Sequence, residues 1–429
     1  MELLRNKIIS VLLFMSVFVA SCKMGETVVV VGVAFEPLRE YNYEHEKGEW
    51  TVMIYMPADN EMEKEAIADI NEMEAADIDF ENNHVIILVD SNNQKENYGG
   101  EWNGTRLYEI SHDKNGVDDK IASLRLGCKE LNMSAKKECE LDMSDPEVLK
   151  KFVMSTARYY PAEHYAFVMW GECSGYSGRK SDARAVAFDD TSVSYMDNKD
   201  FAVSLSDGLK KKFDLLAMDS CFGSELELLT EFKECAECFV GMEGIQKLEG
   251  WNYRSLLNVF NDGYDDGKML GEALTSSQGE KNISLVDLSG MDALCNAFDV
   301  FAQKFSSAIK NKDDALKIRN EILGSGFCFR TYESSVNPVY VDLKSLAERY
   351  GGQDLVSWVS KTCVCKDSEY GGIGVFFCNM NENQNLIEII PEDYVRGKNN
   401  CTFVEKSESY VFTQEKRGTL LDKLFGNYF

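Results

Sequence analysis

The sequence predicts an α/β fold in which a mostly parallel sheet is covered by helices on both faces. Three observations carry this expectation. Strand-length apolar runs recur through the first two-thirds of the chain. They alternate with stretches whose apolar residues fall at helical spacing. The runs are apolar almost without a break, which is how strands buried on both sides read, and such strands belong to parallel sheets with helices above and below. Ligand sites in these sheets lie beyond the carboxyl ends of the strands. The residues that follow each run are therefore where chemistry is expected.

Order is expected to begin at Trp50. Residues 51–56 (Thr-Val-Met-Ile-Tyr-Met) form the first strand of the sheet. Met62, Ala66, Ile70 and Met73 then mark a helix that Asp59 or Asn60 can cap. Residues 84–90 form the second strand. Residues 91–146 are polar and hold a hairpin around 102–110 and a long loop. A helix at 149–160 leads to the third strand at 165–170. A helix at 195–211 leads to the fourth strand at 213–218. A helix at 224–233 leads to the fifth strand at 238–242. Beyond about residue 265 the chain reads as mainly helical, at 290–310, 313–323, 341–350 and 354–363, and residues 372–378 add a further strand. With only six prolines and no low-complexity linker, this half is expected to pack on the first.

The amino terminus reads as an export signal. Arg5 and Lys7 are followed by an apolar stretch at 8–20, too short to span a bilayer. It ends in Val-Ala-Ser-Cys22, which resembles the bacterial lipobox, where the chain is cut before the cysteine and lipid is joined to its sulfur. The expected organisation is a signal peptide at 1–21, a lipidated tether at 22–48 that starts with Cys22, an α/β core at 49–264, and a region at 265–429 that completes the same fold. The expected location is the bacterial cell envelope, with the membrane reached by the lipid anchor only. A net charge of −27 excludes nucleic acid as a partner and favours cationic ones. Of thirteen cysteines, twelve remain after Cys22, an even number compatible with disulfides in an exported protein. Cys128 with Cys139 is the preferred pair, since both lie in one polar, irregular segment. No metal site is expected. Cys235 with Cys238, and Cys363 with Cys365, have neither a second knuckle nor a nearby histidine. Cys235 and Cys238 are placed instead at a buried helix-to-strand step.

Residues 213–221 (Phe-Asp-Leu-Leu-Ala-Met-Asp-Ser-Cys) put Cys221 at the carboxyl end of the fourth strand, as a buried parallel strand presents a nucleophile. The third strand ends in Trp170, Gly171, Glu172 and Cys173. These stretches resemble the clostripain-like cysteine peptidases, family C11 of the caspase-like clan. Further matches occur in the family's order: residues 50–60, 69–74, 189–192, 225–227, 250–253, the Tyr340-Val-Asp342-Leu helix start, and 372–378. The resemblance runs from about Trp50 to the carboxyl terminus. It implies a caspase-like fold with Cys221 as the nucleophile. It also implies Asp219 as the acid facing a basic P1 side chain, Met242 and Glu243 at the substrate pocket, and a peptide or protein ligand carrying basic residues. It implies no cofactor other than the calcium that some relatives use, for which the sequence alone shows no ligand set.

The departures from the family are chemically specific. Glu172 and Cys173 stand where the family reads His-Gly, so Glu172 occupies the position of the general base. Ser220, Phe222 and Gly223 replace other residues around the cysteine, and Met242 stands where the family carries serine. Imidazole suits a cysteine peptidase because it titrates near neutrality and, once protonated, stabilises the thiolate. Moving a proton from a thiol to a carboxylate, with reference pKa values about four units apart, costs roughly 5–6 kcal/mol. Of the other histidines only His112 is a conceivable substitute. His164 lies eight residues before Glu172, about 26 Å in an extended strand. His84 also starts a strand, His112 lies in a loop and His45 in the tether. A Cys173–Cys221 disulfide is conceivable, but two buried free thiols are expected. The resulting expectation is a peptidase homologue without peptidase activity that acts by binding. The alternative is an active cysteine endopeptidase that cleaves after Arg or Lys.

Overall fold

The computed structural model describes residues 38–40, 45–60, 62–91, 102–118, 120–173, 175, 185–279, 282–330, 336–365 and 370–381. The expected signal peptide and Cys22 lie outside the described residues. The strands, in chain order, are β1 (Leu38–Glu40), β2 (Gly48–Ala58), β3 (Asn83–Ser91), β4 (Arg106–Glu109), β5 (Leu124–Gly127), β6 (Ala162–Trp170), β7 (Ala185–Asp189), β8 (Ser194–Asp197), β9 (Phe213–Asp219), β10 (Ala236–Met242), β11 (Ile283–Asp287), β12 (Cys328–Arg330), β13 (Val336–Asp342), β14 (Cys363–Cys365) and β15 (Gly374–Asn381).

Ten of them form one sheet in the order β1-β5-β4-β3-β2-β6-β9-β10-β11-β14. The five strands expected from the apolar runs are its centre, β3-β2-β6-β9-β10, and every pairing among them is parallel. The pleat explains why these runs are apolar throughout. Met53 and Tyr55 of β2, Phe167 and Met169 of β6, and Leu216 and Met218 of β9 enter one core. Their neighbours Val52, Ile54, Ala166, Val168, Leu215 and Ala217 enter a second core on the other face. The first core is closed by the helices Pro146–Tyr159 and Asn198–Leu209, among others. The second is closed by Glu63–Glu74 and Gly267–Gln278.

Caps place several boundaries more sharply than the spacing did. Asp145 accepts from the Glu147 N–H and starts the helix Pro146–Tyr159, with proline in its first turn. Asp197 accepts from the Lys199 N–H, so the helix expected from residue 195 begins at Asn198 and residues 195–197 belong to β8. Asp342 accepts from the Ser345 N–H, so residues 341–342 close β13 rather than open a helix. Asp59 does not cap its helix. Its Oδ2 accepts from the Thr191 N–H at 2.7 Å. Asn60 accepts from the Met62 N–H at 2.9 Å, so neither expected side chain caps the helix, which starts at Glu63.

Other expectations are corrected at the sheet margins. Order begins before Trp50, because β1 pairs with β5 and β2 starts at Gly48. The expected hairpin is β4, which runs antiparallel to both β3 and β5. The chain after residue 265 adds two antiparallel strands to the sheet, β11 and β14. The strand expected at 372–378 is β15, and it joins β12 and β13 in a separate three-stranded sheet. That sheet is tied to the body through Glu227, whose Oε1 accepts from the Phe376 N–H at 3.0 Å. The Cys128–Cys139 disulfide is not present: both thiols are free. The Cys128 thiol instead turns to the Ser155 hydroxyl at 3.5 Å, beneath the helix Pro146–Tyr159.

Candidate functional site

The register between β6 and β9 sets Trp170 opposite Asp219, and the Gly171 N–H donates to the Asp219 carbonyl at 3.2 Å. The chain therefore leaves both strands at the same edge. Glu172 and Cys173 follow on one side, and Ser220 and Cys221 on the other. Gly171 has φ of +121°, a conformation that needs glycine, and it turns the chain sharply after Trp170. Phe222 has φ of +52°, a strained value for a side chain of this size. Its N–H donates to the Gly244 carbonyl at 2.8 Å, and its ring packs 4.5 Å from that of Tyr340. These contacts hold the turn that carries Cys221.

A cleft of about 430 Å³ opens at this edge. It is lined by Trp170 to Cys173, by Asp219 to Cys221, by Met62 and Phe188, and by the segment from Ile245 to Gly250. That segment approaches the nucleophile closely. The Cys221 sulfur accepts from the Gln246 N–H at 3.3 Å and lies 3.8 Å from the Gln246 carbonyl. Ile245 and Leu248 are exposed apolar side chains at the mouth.

Asp219 is buried in the cleft wall. It accepts from the Trp251 N–H at 3.0 Å and from the Gln246 side-chain amide at 3.2 Å. Burial pushes its carboxyl up to about 7, against the pull of those hydrogen bonds. Gly250 has φ of +63°, and a Cβ there would lie 2.8 Å from Asp219 Oδ2. Asp219 thus braces the loop that covers the thiol as well as lining the cleft. Cys173 is buried beside it and accepts from the Gly175 N–H at 3.3 Å. Burial pushes its thiol up to about 12, and it is not joined to Cys221.

Two expected pocket residues lie elsewhere. Met242 is buried in the second core, where the pleat of β10 sends it with Val240. Glu243 is fully buried and its Oε2 accepts from the Gly372 N–H at 2.8 Å. Neither lines the cleft. The loop residues 245–248, which do, were not found from the sequence. Their only signal is a polar segment between Gly244 and Gly250 directly after a strand.

All four histidines are among the described residues, and none lines the cleft. His164 Nδ1 lies 2.9 Å from Asp214 Oδ1, with its ring stacked on Trp50. His112 packs edge-on to Phe80. His45 and His84 pack together beside Tyr160.

One group of residues fits the calcium that the resemblance admits. Asp59, Asp90, Glu140 and Asp189 each bring a carboxylate oxygen within 4.8 Å of the others. Three of the four are buried, and Asp59 Oδ1 and Asp90 Oδ2 have no hydrogen-bond partner. Burial and the neighbouring carboxylates push Asp90, Asp189 and Glu140 up, Glu140 to about 7. A hard cation with oxygen ligands at about 2.3–2.6 Å suits this donor set. Its charge would hold Asp59 and Asp90, from the ends of β2 and β3, to Asp189 at the end of β7.

A mostly parallel sheet with a cysteine at the carboxyl end of a central strand is the architecture expected of the caspase-like α/β class. The comparisons agree. The Clostripain family profile matches residues 54–408, and the chain belongs to that family, C11. It is 31% identical to clostripain of Hathewaya histolytica over 194 residues, which cover 43% of this chain and 36% of that protein. The match thus spans about a third of that relative's length. Among solved structures, a secreted C11 cysteine protease from Bacteroides thetaiotaomicron in complex with an irreversible peptide inhibitor superposes with a TM-score of 0.55 at 16% identity. An inactive zymogen C11 protease from Parabacteroides distasonis superposes with a TM-score of 0.52 at 17% identity. Each comparison covers 77% of this chain and 92% of the other.

Proposed function

We propose that this chain is a peptide-binding member of the clostripain family that has lost efficient peptide hydrolysis. One observation carries the reading: Glu172 shares the cleft with Cys221, and every histidine of the chain lies elsewhere. A carboxylate there neither takes the thiol proton readily nor supplies an imidazolium to stabilise the thiolate. The ligand is a peptide or protein segment with a basic residue. Glu172 offers that residue a charge-assisted hydrogen bond, and Ile245 and Leu248 offer apolar surface beside it. The test is binding against turnover. Lys- and Arg-containing peptides should bind wild type and Cys221→Ala with equal affinity in calorimetry, and neither protein should cleave them. Cleavage by wild type that disappears in Cys221→Ala overturns the reading in favour of an endopeptidase acting after Arg or Lys.

We propose further that the protein sits at the bacterial cell envelope, with residues 1–21 as its export signal and Cys22 as the lipid attachment site. Support comes from the lipobox-like stretch and from the secreted relative. Among the described residues no helix is long and apolar enough to cross a membrane. Metabolic labelling with a fatty acid should tag wild type and leave Cys22→Ala untagged. Unlabelled wild-type protein recovered free in the medium would exclude the anchor.

A further inference from the structure

We infer that His45, His84 and Glu109 form a binding site for a divalent transition-metal ion of the zinc class, which clamps the segment before β2 to the core. The three residues meet at the edge of the sheet where β2 and β3 begin, opposite the end that carries Cys221. His84 is the second residue of β3 and pairs with Thr51 of β2. Glu109 is the last residue of β4. His45 lies three residues before β2 and is held there by its own N–H, which donates to the Tyr159 carbonyl at 2.8 Å. One ligand atom from each residue lies within 4.8 Å of the other two.

The state of His84 points to a ligand. The side chain is 5% exposed, and its Nε2 is buried without a hydrogen-bond partner. The Glu46 main chain lies beside the ring. A buried imidazole nitrogen with an unused lone pair, close to a second imidazole and a carboxylate, is suited to a metal ion. Glu109 Oε2 accepts from the Tyr160 hydroxyl at 3.0 Å. Its Oε1 lies 4.0 Å from His45 Nε2. His45 is stacked on Tyr160, with ring centroids 4.3 Å apart.

Two imidazoles and one carboxylate are a ligand set for zinc or a neighbouring ion, with a fourth position for water. Bonds of about 2.0–2.2 Å require the three atoms to draw together. His45 and Glu109 can supply that movement, since both side chains are partly exposed. Calcium would not be drawn here, because it prefers all-oxygen sites. The ion would tie residue 45, on the path toward the amino terminus, to strands β3 and β4. It would secure the segment that leads into β2.

The test uses the exported chain with millimolar calcium present, so that the carboxylate cluster is not read. Zinc titrated in a calorimeter should bind wild type at one site. His45→Ala and Glu109→Gln should each weaken that site tenfold or more. Cobalt in place of zinc should give d–d absorption without thiolate charge transfer, and zinc should slow proteolytic cutting before Trp50. His84→Ala should abolish binding; if it does not fold, the other two variants still decide. Equal zinc affinity in wild type, His45→Ala and Glu109→Gln overturns the inference. So does a thiolate signature that survives in His45→Ala, since it would put the ion on cysteines.

Discussion

Glu172→His raises turnover of an Arg- or Lys-containing peptide by about 10²-fold or more over wild type, the lower end of what a positioned general base and acid contributes. Glu172 follows the turn at Gly171 and lines the same cleft as Cys221, so the substituted ring enters the space where the proton must move. Histidine corrects both defects of the carboxylate. It accepts the thiol proton at a pKa near neutrality, and the imidazolium that results stabilises the thiolate and can later protonate the leaving amine. The gain should vanish in the double variant with Cys221→Ala. The measurement is kcat/KM for all four proteins. A wild-type rate equal to that of Glu172→His, both abolished by Cys221→Ala, would show that another group already serves as the base. The Gln246 contacts with the thiol bear on the size of the gain, because substrate must displace that main chain to reach Cys221.

Calcium at a hundredfold excess over its Kd should stabilise the protein by about 3 kcal/mol. This would appear as a rise of several degrees in Tm that chelation reverses. Four carboxylates stand within 4.8 Å of one another, two with buried oxygens that lack any hydrogen-bond partner. Without a cation they repel. Asp90→Asn should therefore behave in two ways at once. In chelator it should be more stable than wild type, because one like charge is gone. In calcium it should gain much less, because a ligand is gone. Thermal unfolding of both proteins with and without calcium decides the matter. A wild-type Tm that does not move in millimolar calcium would exclude the site.

Much of the fold was legible in the chain. The five central strands could be read because strands buried on both faces cannot afford polar residues, so β2, β3, β6, β9 and β10 stand out as apolar runs. The strand-end positions of Cys221 and Glu172 were legible for the same reason, since each directly follows such a run; that glutamate stands in a histidine's place was implied by the family resemblance. β11 was missed because five residues between two helices, one of them a buried serine, make too short a run to be distinguished from helix. The hidden boundary at Asp197 and the late start at Leu343 reflect caps, which depend on a side chain reaching its own backbone.

By itself the sequence determined the alternation of strand and helix, the parallel centre of the sheet, and the pairing of Cys221 with Glu172 at adjoining strand ends. These are local consequences of side-chain period and of the residues next to each run. Only the tertiary structure decided that Met242 and Glu243 face the core, that Gln246 holds the thiol, and that Asp219 braces the covering loop. It alone gathered Asp59, Asp90, Glu140 and Asp189 at one edge and His45, His84 and Glu109 at the other. The reason is physical: burial and strand period act on neighbours in sequence, whereas a site joins residues up to 130 positions apart (189 − 59) that meet only once the sheet has closed its register.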